Sequence, residues 1–89
     1  MVTRDLEIIN KLGLHARAAA KLVHTSARFT AEVKIRKGDE EVDGKSILGI
    51  LLLAAGKGSV ITVSAEGPDE QEAVDAIGRL INAKFDESE

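Results

Sequence analysis

Residues Gly13 to Arg17 read Gly-Leu-His-Ala-Arg and run straight into the small residues Ala18, Ala19 and Ala20. The alanine-rich stretch favours a helix, so His15 falls where that helix should begin, with Arg17 two residues later. A helix start offers unpaired backbone N–H groups and the positive end of the helix dipole, which together suit an anion. Neutral imidazole is nucleophilic near pH 7. His15 is therefore a candidate nucleophile whose product is a bound phosphoryl group. The backbone N–H groups of Ala16 and Arg17 would donate to that group, and the Arg17 guanidinium would add a charge-assisted contact.

Two other patterns carry less. Gly38 and Gly44-Lys45-Ser46 hint at a phosphate-binding loop, but five residues separate the glycines where that loop needs four. His15 and His24 are nine residues apart with no accompanying carboxylate, which is not a metal-ligand spacing. His24 reads as a surface residue of the first helix.

The elements that must hold His15 follow from periodicity. Val2, Leu6 and Ile8 alternate with polar residues and predict a first strand, and Asn10 to Gly13 a loop. A helix is expected from Ala16 to about Arg28, with Ala19, Ala20, Leu22, Val23 and Ala27 as its apolar positions. Ala31, Val33 and Ile35 alternate with charged residues as a second strand. Lys37-Gly38-Asp39 turns it into a short return strand over Glu40 to Val42, and Asp43-Gly44-Lys45 turns again. Ser46 can cap a short helix from Ile47 to about Leu53, which Gly56-Lys57-Gly58 ends. Val60 to Ala65 is strand-like. Gly67-Pro68-Asp69 leads into a last helix with Ala73, Ala76, Ile77, Leu80, Ile81 and Lys84 on one face. Phe85 to Glu89 reads as an acidic, partly frayed tail.

The order is β-α-β-β-α-β-α. Strands with one apolar face need a cover that these helices can supply on that side only. The expected fold is α+β: a two-layer open-faced sandwich, with a four-stranded antiparallel sheet covered on one face by three helices. A chain of 89 residues without linkers or repeats is expected to form a single domain over 1–89.

Composition narrows the function classes. The absence of Cys excludes disulfides and thiolate metal sites. Phe29 and Phe85 are the only aromatics, which disfavours stacking of single-stranded nucleic acid. The start Met-Val-Thr-Arg-Asp shows no apolar signal region, and the longest apolar run, Ile50 to Ala55, is far short of a membrane span of roughly 20 residues. A cytoplasmic protein is expected, without membrane insertion, and nothing suggests more than a monomer. The net charge of −3 is unevenly spread. Ile8 to Lys37 holds seven basic residues against one acid, while Gly38 to Glu89 holds twelve acids against four basics. The basic half can steer acidic partners or simply be a solvated face.

The segment Gly13-Leu14-His15-Ala16-Arg17 resembles the Gly-Leu-His-Ala-Arg-Pro-Ala motif of HPr, the histidine-containing phosphocarrier family of the bacterial phosphotransferase system. Lys45-Ser46-Ile47-Leu48-Gly49 resembles the Lys-Ser-Ile/Val-Met/Leu-Gly segment that the family carries at its second helix, and the element order matches along the whole chain. The resemblance implies that His15 takes a phosphoryl group at Nδ1 from phosphorylated enzyme I. It then hands the group to a histidine of a sugar-specific enzyme IIA, with Arg17 stabilising the phosphate. It implies no metal, no cofactor and no turnover of a small substrate by the protein alone. Ala18 departs from the family's frequent proline; the helix should form either way, and the departure bears on loop rigidity and transfer rate.

Ser46 matches a serine that, in part of the family, an ATP-dependent HPr kinase phosphorylates. The plainer alternative is an N-cap alone. Ile47, Leu48 and Leu51 are expected to dock partners, and Ile50 and Leu53 to belong to the core. The partners implied are enzyme I, enzyme IIA and, for a regulatory role, HPr kinase/phosphorylase and transcriptional regulators. Two alternatives stay open: a nitrogen-branch carrier (NPr-like), towards which Lys84 to Glu87 and the Ala55 to Gly58 loop lean, and a regulatory adapter acting through phospho-Ser46.

Overall fold

In the computed structural model, which describes residues 1–87, four strands and three helices alternate in the expected order. They are β1 (Val2–Glu7), α1 (Ala16–Ala27), β2 (Glu32–Lys37), β3 (Glu40–Asp43), α2 (Ile47–Leu52), β4 (Val60–Glu66) and α3 (Glu70–Asn82), followed by a 3₁₀ turn over Lys84–Asp86. The sheet order is β1-β4-β2-β3, and every neighbouring pair is antiparallel. Leu6 pairs with Ile61 and Ile35 with Val63. On β2 and β4, Val33, Ile35, Ile61, Val63 and Ala65 are buried while their alternating neighbours reach solvent. All three helices pack on this one face, as the one-sided alternation requires.

The core beneath the helices is almost wholly aliphatic. Leu22, Ile50, Val74, Ile77 and Ile81 meet the sheet residues there, and Ile50 and Leu53 are buried as expected. Two expectations need correcting. On α1 the inward residues are Ala18, Ala19, Leu22 and Ser26, whereas Ala20 and Ala27 are exposed. In a helix built mainly from alanine, neighbouring faces differ little in apolar area, so periodicity marks its orientation weakly. The second correction concerns the end of the chain. Lys84 lies beyond α3, in the 3₁₀ turn, and Phe85 is fully buried rather than part of a frayed tail. The last two residues of the expected tail, 88 and 89, lie outside the described residues.

The loop before α3 locks the sheet to the helix layer. Asp69 accepts hydrogen bonds from the backbone N–H groups of Thr30 (2.9 Å) and Ala31 (2.8 Å). Beside it Gly67, at φ +151°, approaches Ala31 so closely that a Cβ would lie 2.7 Å from its Cα. At the other edge Arg4 reaches from β1 to Asp75 of α3 at 2.7 Å, over Gly78.

Candidate functional site

The loop before α1 is held at both ends. Gly13 has φ +66°, and a Cβ there would lie 2.6 Å from the Ala55 carbonyl oxygen and 2.7 Å from the Gly56 Cα. Only glycine fits, because the loop presses against the segment that follows α2. The Leu14 N–H donates to the Ala55 carbonyl at 2.8 Å, so His15 is presented next to the end of α2.

His15 is the N-cap of α1, in extended backbone with φ −76° and ψ 179°. Its ring replaces the usual capping oxygen: the Arg17 N–H donates to His15 Nδ1 at 3.3 Å. The other ring nitrogen, Nε2, lies 2.6 Å from Glu87 Oε2. An ionised carboxylate can only accept, so Nε2 carries the hydrogen and the lone pair rests on Nδ1. Two separate contacts, one at each nitrogen, thus agree on one tautomer.

Glu87 is itself held. Its Oε1 accepts from Asn10 Nδ2 at 3.0 Å, and the same Asn10 nitrogen donates to the Gly13 carbonyl at 2.9 Å. Asn10 is fully buried. The Asn10 amide first, and the His15 ring second, hold the Glu87 carboxyl below its ordinary pKa, with partial desolvation opposing them. Lys21 Nζ donates to the Phe85 carbonyl at 2.6 Å and fixes the segment that delivers Glu87.

Together Lys11, Leu12, His15, Ala16, Arg17, Lys21, Asp86 and Glu87 line one open depression at the start of α1. Its floor is the helix N-terminus, and three basic residues line it. A dianionic group on Nδ1 would meet the helix start there, where the Arg17 N–H already points. His24 is exposed on α1 and lines an adjoining shallow groove with Arg17, Lys21, Leu80 and Asp86. No cluster of three or more His, Cys, Asp or Glu suited to a metal occurs among the described residues.

Ser46 caps α2, its Oγ accepting from the Gly49 N–H at 3.1 Å. Of the residues after it, Ile47 (44%) and Leu48 (68%) are solvent-exposed. Leu51 is half-buried and packed against the core; Leu52 and Leu12 (65% and 66% exposed) are also in the open, as are Met1 and Val60. Reading the sequence missed Glu87, Asn10, Lys21, Leu12 and Leu52. One signal was available: Phe85 is one of only two aromatics, and a large apolar side chain within an acidic tail marks an anchor.

The geometry can be set beside known proteins. A family model described as the PTS HPr component phosphorylation site matches residues 2–83. The phosphocarrier protein HPr of Cupriavidus necator is 53% identical over 89 residues, covering 100% of both chains. The phosphocarrier protein NPr of Shewanella violacea is 47% identical over 85 residues, covering 96% of this chain and 93% of its own. A crystal structure of HPr from Thermoanaerobacter tengcongensis superposes with a TM-score of 0.97 at 44% identity, covering 100% of both chains. Sequence shared to this extent from end to end, on the same fold, leads to one conclusion: the chain belongs to the HPr family, the phosphocarriers of the phosphotransferase system.

Proposed function

We propose that this chain, as one domain in the cytoplasm, accepts a phosphoryl group on His15 from phosphorylated enzyme I and passes it to a histidine of an enzyme IIA. The observation that carries this reading is the pairing at His15, whose Nδ1 lone pair faces the start of α1 while Nε2 is engaged elsewhere. In an in-line transfer the N–P bond forms at Nδ1 as the bond to the donor breaks. The phosphoryl oxygens then take over the backbone N–H groups of Ala16 and Arg17, and the Arg17 guanidinium offsets their charge. The chain holds the group between two partners and turns over no small substrate by itself.

Ile47 and Leu48 support a docking surface on α2, the helix whose following segment holds the His15 loop, since exposed aliphatic side chains suit a partner that must bring its own histidine close. Leu51, half-buried, would contribute only its edge. Phosphorylation of Ser46 by an HPr kinase, with effects on transcriptional regulators, would place negative charge at the edge of that surface, at a helix start that tolerates it.

The test is incubation with phosphoenolpyruvate and each available enzyme I, followed by mass measurement. One added phosphoryl group, lost on acidification and absent in His15→Ala, is the expected outcome. No adduct with any enzyme I would overturn the carrier reading. The likeness to an NPr supports a second reading, service in the nitrogen branch. Loading by the nitrogen-branch enzyme I in preference to the sugar-branch one would establish it.

A further inference from the structure

We propose that Glu87 is a positioning residue for His15: its carboxylate keeps the hydrogen on Nε2, directs the phosphoryl group to Nδ1, and balances the positive charge that the ring acquires on transfer. The inference rests on the phosphocarrier reading of His15.

Three features carry it. The Oε2 to Nε2 distance is 2.6 Å, with only 14% of the Glu87 side chain and 27% of the His15 side chain exposed. The second oxygen is not free to rotate away, because it accepts from the buried Asn10 amide, whose Nδ2 also holds the Gly13 carbonyl. One asparagine thus ties the carboxylate to the loop that presents His15. The chain also bends in a costly way to bring the carboxylate there. Lys84, Phe85 and Asp86 all have positive φ (57°, 57° and 63°), three successive L residues in the left-handed region. Burial of Phe85 and the Lys21 bond to its carbonyl hold that turn in place. A frayed end would not adopt it.

The chemistry follows from the geometry. When the Nδ1 lone pair attacks phosphorus, the bond from phosphorus to the donor atom breaks and its electron pair stays with the donor. The ring keeps its Nε2 hydrogen and becomes a cation. The Glu87 carboxylate, hydrogen-bonded to that N–H, stabilises the cation without taking the proton, as a buried carboxylate does beside an imidazole general base. When the group leaves for the next acceptor, the electron pair of the N–P bond returns to Nδ1 and the starting tautomer is restored.

The test compares wild type, Glu87→Gln and Glu87→Ala. In Glu87→Gln the Asn10 amide still requires an acceptor, so the glutamine oxygen faces Asn10 and its NH₂ faces Nε2. That pairing favours hydrogen on Nδ1 and removes the nucleophilic lone pair. ¹⁵N spectra of the neutral imidazole should show the Nε2–H form in wild type, the Nδ1–H form enriched in Glu87→Gln, and an intermediate population in Glu87→Ala. Loading by phosphorylated enzyme I should slow in the same order, by about tenfold or more for Glu87→Gln. A general loosening of the fold would not invert a tautomer, and amide spectra away from residues 10–17 and 84–87 should match wild type. Equal tautomer populations in all three proteins, or equal loading rates on His15, would overturn the inference and leave the carrier reading standing. Failure of enzyme I to load wild type would overturn both.

Discussion

At the scale of single residues, the two nitrogens of His15 have different neighbours. Nδ1 faces a backbone N–H at the start of α1, and Nε2 faces a carboxylate from the far end of the chain. Arg17 is exposed at the rim of the same depression and contributes nothing to the core. Arg17→Ala is therefore expected to fold with an unchanged thermal midpoint while phosphoryl transfer slows on the order of a hundredfold, as when one preorganised charge-stabilising donor is lost. Single-turnover transfer beside a thermal melt checks both halves, and an unfolded variant would contradict the role given to Arg17. His15 and Arg17 were legible because their types and spacing sit in one short segment before a helix. Glu87 was not, because it stands 72 positions away and only the folded turn brings it to the ring.

At the scale of elements, backbone conformation decides what periodicity cannot. Ala54, just after α2, has φ +51°. That conformation costs an L residue about 1–2 kcal/mol, of which glycine's freedom in the unfolded chain cancels roughly 0.5–1. Ala54→Gly is expected to stabilise the protein by about 0.5 kcal/mol, seen as a higher denaturant midpoint. A lower midpoint would mean that the strain is relieved elsewhere. Gly13→Ala should act in the opposite sense, since its Cβ would collide with the Ala55 carbonyl. A loss of about 2 kcal/mol or more, with weaker transfer because His15 shifts, is the outcome to look for. The strands were readable from alternation, and α3 from its apolar stripe. The orientation of α1 was not, because alanine at 18, 19, 20 and 27 offers four similar contacts and packing chose among them.

At the scale of the whole molecule, charge and exposed apolar area set solution behaviour. Among the described residues, four carboxylates titrate below their ordinary values in the fold. Asp69 does so mainly through the Thr30 N–H, Glu70 through the Gly67 N–H, Asp75 through Arg4 and Glu87 through Asn10. Each has a folded pKa below its unfolded one, so its contribution to stability is complete above the unfolded value and disappears as the pH falls through the folded one. Thermal midpoints should hold near neutrality and drop as the pH goes below the ordinary values of 4.5 for Glu and 3.8 for Asp. Asp69→Asn replaces one of the two accepting oxygens with an NH₂ group that faces an N–H donor; it should lower the midpoint at pH 7 and flatten the acid limb. A melt series from pH 7 to acid, giving parallel curves for the two proteins, would count against this account. On the proposed docking surface, Leu48 is 68% exposed. Leu48→Ser should change stability by no more than about 0.5 kcal/mol. It should weaken enzyme I or enzyme IIA binding by about tenfold, as loss of an apolar anchor does; unchanged affinity would exclude Leu48 from docking. By itself the sequence determined the order of elements, the one-sided sheet and the candidate nucleophile with its arginine, because all of these are written in spacings of a few residues. Only the tertiary structure decided which nitrogen of His15 is available, which leucines stay in the open, and that the acidic end of the chain belongs to the site. Those outcomes depend on contacts between distant segments, whose geometry local pattern does not contain.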